Sequence, residues 1–94
     1  MSNLEVIKVR TDVQSVDELS AQIAESVGRE LNESVTIYRS THAPTDLAIH
    51  IRHDDGHGDA QPSKIGQRLA SGLRSYGTVE HVIWIEATEE GAKA

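Results

Sequence analysis

The chain has 94 residues, enough for one domain with a modest core, and its apolar residues are mostly aliphatic: no Phe, one Trp and two Tyr. A formal net charge of −6 argues against non-specific adhesion to nucleic acid or to an anionic membrane, because both are themselves anionic, and the lack of Cys excludes disulfides and thiol chemistry. No apolar run has the length of a membrane span or a secretory leader, so the expectation is a soluble, cytoplasmic protein with no membrane partner.

In chain order, LEVIKVR (residues 4–10) alternates and is rich in Val and Ile, which predicts a strand. A helix is expected next. Ser15 and Glu18 have capping-box spacing, Leu19, Ile23 and Val27 recur every four residues, and Gly28 or Asn32 ends it. VTIYR (35–39) predicts a second strand, and STHAPT a turn punctuated by Pro44. DLAIHIRH (46–53) predicts a third strand. Pro62 marks the start of a second helix, whose apolar stripe is Ile65, Leu69 and Leu73, with Gly77 as its C-cap. Gly66 and Ala70 are small residues that allow close packing of this helix on a sheet, while Lys64, Arg68 and Arg74 fall on its solvated face. VEHVIWIEA (79–87) predicts the last strand. Residues 1–88 are expected to form one domain and residues 89–94 a disordered tail.

The order strand, helix, strand, strand, helix, strand resembles a ferredoxin-like βαββαβ plait, an α+β fold. The resemblance is one of fold alone. It implies a four-stranded antiparallel sheet, ordered fourth, first, third, second, with both helices on one face and the other face open.

Strand parity assigns the faces. Ile7, Val9, Leu47, Ile49, Ile51, Ile83, Ile85, Val35 and Ile37 point to the helices. Leu4, Val6, Lys8 and Arg10, then Ala48, His50 and Arg52, then Glu80, Val82, Trp84 and Glu86, and finally Thr36 and Tyr38, point to the open side. Aligned strand midpoints place Val6 between His50 and Trp84, Arg10 near Glu80 and Leu4 near Glu86. The open face then has an aliphatic and aromatic middle and a charged rim, the anatomy of an interface. Val6, Lys8, Tyr38, His50, Arg52, Val82 and Trp84 are its expected contact residues. A homodimer formed through this face is the expected function. A cavity near His50 that binds a small molecule, with His50 as a general base, is the alternative. Nucleic acid is not an expected partner: the third strand has no aromatic residue for stacking bases.

RHDDGHGD (52–59) is the most conspicuous polar stretch. His53, Asp55, His57 and Asp59 alternate and are residue types that ligate transition metals, although their spacing fits no established zinc pattern. Asp and Gly are equally the residues of an ordinary turn before a helix. No cofactor is expected. His42 and His81 are placed at the opposite end of the sheet from His53 and His57, with His81 half-buried and hydrogen-bonded.

Overall fold

The computed structural model describes residues 3–28, 34–53 and 62–86. The elements are β1 (Asn3–Arg10), α1 (Val13–Gly28), β2 (Val35–Arg39), β3 (Asp46–His53), α2 (Lys64–Leu73) and β4 (Thr78–Ile85). The strands form one antiparallel sheet in the order β2-β3-β1-β4, with α1 against β2 and β3 and α2 against β1 and β4. This is the α+β plait that the element order predicts, and the far side of the sheet is open. No helix among the described residues is long and apolar enough to cross a membrane.

Alternation drives the layering. Ile7, Val9, Leu47, Ile49 and Ile51 lie under the helices, sealed by Val16, Leu19, Ile23 and Val27 of α1 and by Ala70 and Leu73 of α2. Each buried aliphatic side chain contributes about 1.5–3 kcal/mol of transfer free energy. Val16, Leu19, Ile23 and Val27 are three or four residues apart, so α1 buries one continuous stripe. Lys64, Arg68 and Arg74 are solvent-exposed, as the helical pattern of α2 requires.

Four boundaries and placements differ from expectation. Helix α1 begins at Val13, two residues before Ser15, which lies within its first turn. Helix α2 ends at Leu73 with Arg74 as its C-cap, and Gly77 serves another purpose. A Cβ at Gly77 would fall 1.8 Å from the Arg10 carbonyl oxygen, so glycine there lets the turn pass against the end of β1. Ile85 has inward parity yet is exposed. Ten helical residues span about 15 Å and eight strand residues about 27 Å, so α2 leaves one end of the edge strand uncovered.

The fourth difference is register. Val6 stands opposite His50 on β3, as expected, but opposite Val82 on β4. Trp84 faces Leu4, Glu80 faces Lys8 and Thr78 faces Arg10. The slip is two residues, because β4 starts and ends earlier than its apolar run suggests. A slip of two preserves every side-chain face, so the parity assignment stands and only the neighbours change.

Candidate functional site

The inward side of β1 carries Glu5 before Ile7 and Val9. Parity alone aims it into the interior, and its side chain is 0% exposed. Directly beside it are Ile51 and Ile83, and its diagonal neighbours are His53 on β3 and His81 on β4. His53 Nε2 donates to Glu5 Oε1 at 2.8 Å, and the Ser63 hydroxyl donates to the same oxygen at 2.7 Å. His81 Nε2 donates to Oε2 at 2.6 Å, joined by the Ser63 backbone N–H at 3.2 Å. An ionised carboxylate only accepts, so each imidazole carries its proton on Nε2. Four donors fill the four lone-pair positions of the carboxylate. Burial alone pushes the Glu5 carboxyl upward, but hydrogen bonds from His53, Ser63 and His81 outweigh it and hold the group below its ordinary 4.5.

This cluster corrects the expected placement of the histidines. β1 runs antiparallel to both β3 and β4, so the ends of both strands flank the first half of β1, with His53 and His81 diagonal to Glu5 on either side. His53 and His81 therefore meet at one carboxylate instead of lying at opposite ends. His81 is half-buried and hydrogen-bonded, as expected. His42 is exposed in the turn after β2.

Ser63 also caps α2, its Oγ accepting from Gly66 N–H at 3.0 Å. Gly66 leaves room for the carboxylate: a Cβ there would lie 1.9 Å from Glu5 Oε2. The composition Glu, His and Ser invites comparison with a nucleophilic triad, but the hydrogen bonds run otherwise. The Ser63 hydroxyl donates to the carboxylate and not to an imidazole, so no base activates it. Among the described residues no three His, Cys, Asp or Glu side chains are placed to hold a metal ion, because both imidazoles spend Nε2 on separate oxygens of one carboxylate. Of the expected metal ligands, His53 is in this cluster, and Asp55, His57 and Asp59 lie outside the described residues.

The open face is the second site. Its contact candidates all project from the helix-free side, though unequally. Trp84 is 63% exposed, Tyr38 51% and Val82 41%, whereas Val6, in the central strand, is only 7% exposed. Arg10 reaches across to Asp46 at 3.0 Å, and Lys8 stands opposite Glu80. Tyr38 and His50 pack with ring centroids 4.6 Å apart at a 53° tilt. Burial lowers the His50 imidazole below its ordinary 6.5, so it is neutral at pH 7. Across the end of this face runs a half-open groove of about 290 Å³, with Thr36 and Tyr38 on one side, His50, Arg52 and Leu4 along the floor, and Trp84 on the other side.

Compared with known proteins, the chain matches no family model, no curated protein and no solved structure. The two sites differ in how they announce themselves. Trp84 and His50 stand out by type and parity. Glu5 has the same parity as Ile7 and Val9, and that charged residue on a buried face is the signal for the interior cluster. What the signal lacks is its partners, which lie 48, 58 and 76 residues away.

Proposed function

We propose that this chain is a non-catalytic interaction module that forms a homodimer through its open sheet face. The observation that carries the reading is the charge balance of that face beside its exposed aromatic and aliphatic side chains. Lys8, Arg10 and Arg52 are matched by Asp46, Glu80 and Glu86, so three positive and three negative groups leave the face neutral. The chain as a whole carries −6, so none of the net charge comes from these six face residues. Two copies repel one another least when they meet through the neutral face. Trp84, Val82 and Tyr38 supply the apolar contact, and Trp and Tyr are favoured at binding hot spots. Three strands about 27 Å long and one of about 17 Å, about 4.8 Å apart, present roughly 470 Å² in projection. The accessible area of a corrugated face is larger, and a standard interface uses about 800 Å² per partner.

Sedimentation equilibrium is the test. The wild-type chain is expected to sediment as a dimer, and Trp84→Glu as a monomer with unchanged circular dichroism. A monomeric wild type removes the dimer, and an unaffected Trp84→Glu dimer moves the interface elsewhere.

A second reading is favoured by the pose of His53. A metal-ligating imidazole commonly donates its other ring N–H to a carboxylate, and His53 does this to Glu5 through Nε2, which leaves Nδ1 for a ligand role. On this reading His53, Asp55, His57 and Asp59 bind a divalent transition metal. Calorimetry with zinc decides it: binding that survives His53→Ala combined with His57→Ala dismisses the assignment.

A further inference from the structure

The groove on the open face holds two polar side chains, His50 and Arg52, beside its aromatic walls. Arg10 and Arg39 each hold an aspartate, whereas Arg52 has no ion-pair partner among the described residues. The His50 ring nitrogens take no hydrogen bond from the described residues either; the ring is held by its contact with Tyr38. The Arg52 guanidinium and the His50 imidazole, neither with a polar partner among the described residues, thus share one groove with the exposed rings of Tyr38 and Trp84.

We propose that this groove binds a planar aromatic molecule of one or two rings that carries a single carboxylate. The ring lies against Trp84 and Tyr38, and the carboxylate lies on Arg52. Its volume sets the size, since about 290 Å³ is near the lower end of the ligand-pocket range of about 300–1,000 Å³. Its walls set the shape, since aromatic faces favour stacked or tilted rings. The planar fork of Arg52 matches a carboxylate in two parallel hydrogen bonds. Glu86 lines the same groove, so the proposed ligand carries one negative charge and not two. The neutral imidazole of His50 offers one donor and one acceptor to a hydroxyl or carbonyl substituent on the ring. The proposal deepens the open-face reading and rests on it only in taking this face as the working surface. Ligand binding itself requires no second copy.

Trp84 is the only tryptophan in the chain, so its indole N–H resonance reports on the groove alone. The experiment is a titration of ¹⁵N-labelled protein with benzoate, benzyl alcohol and phthalate, followed through that resonance and the amides of Leu4 and His50, with sedimentation on the same samples. Benzoate is expected to give saturable shifts. Benzyl alcohol, which lacks the charge, and phthalate, which doubles it, are each expected to bind about tenfold more weakly. Arg52→Ala is expected to weaken benzoate about tenfold and to leave benzyl alcohol unchanged. Arg52 is exposed, and the spectrum itself shows whether the variant is folded. No saturable shift with benzoate overturns the proposal, and so does benzoate binding that is indifferent to Arg52→Ala. A monomer that binds benzoate upholds the groove and removes the dimer. A dimer with no indole shift removes the groove and leaves the dimer standing.

Discussion

Glu5 shows how a single residue is committed by its surroundings. A buried carboxylate is costly unless charged hydrogen bonds replace its water, and here all four lone-pair positions are filled from β3, β4 and the start of α2. Glu5→Gln replaces an acceptor by an NH₂ that meets a donor. It is expected to cost about 3 kcal/mol in urea unfolding at pH 7. The sign with pH follows from the lowered Glu5 pKa. The folded group titrates below its ordinary 4.5, so its contribution is complete above that value and is lost as pH falls through the folded pKa. The stability gap between wild type and Glu5→Gln should therefore narrow as pH drops below 4.5. A gap that stays constant down to the acid transition would show that the charge of Glu5 is not what stabilises. Gly66→Ala tests the same site by volume: with Glu5 Oε2 1.9 Å from the added Cβ, helix or carboxylate must shift, at a cost of about 1–3 kcal/mol read as a lower urea midpoint.

At the level of elements, the first turn of α2 does two things at once. Ser63 satisfies an orphan N–H of the helix and donates to Glu5, so its one hydroxyl fastens α2 to β1. Ser63→Ala removes both and is expected to cost about 2 kcal/mol, where loss of an ordinary cap costs about 1. In a Glu5→Gln background the loss should fall toward that of a cap alone, and equal losses in the two backgrounds would mean that the hydroxyl and the carboxylate act independently. The same scale explains what was legible. Strand parity was readable because the period of two survives boundary errors. Register was not, since VEHVIWIEA carries no mark that places Val82, and not Trp84, opposite Val6. That choice is made by the turn after α2, where Gly77 passes against Arg10.

For the whole molecule, charge distribution gives the prediction. If two copies meet through a face with balanced charge while the rest of each carries −6, salt screens only the repulsion. Dimer affinity is then expected to rise as salt goes from about 0.02 to about 0.5 M, where the Debye length falls from about 20 to about 4 Å. A fall in affinity would show that ion pairs across the interface dominate instead. The helical side follows its own logic: from the turn after α2, the Tyr76 hydroxyl donates to Gln22 of α1 at 3.2 Å, tying the end of the second helix to the first.

The order of local periods, two then 3.6 then two, determined the plait by itself, because each period buries one face and few architectures bury six such faces together. The placement of Trp84, Val82, Tyr38 and His50 on one surface was also determined by the sequence, through alternation along single strands. Only the tertiary structure decided what stands beside what. It put His53, Ser63 and His81 on Glu5, gave Arg10 an aspartate while Arg52 has none among the described residues, and opened a groove between Tyr38 and Trp84. The reason is physical. Burial patterns are written in neighbouring residues, whereas a hydrogen bond or a groove depends on register, a relation between segments that no single segment encodes.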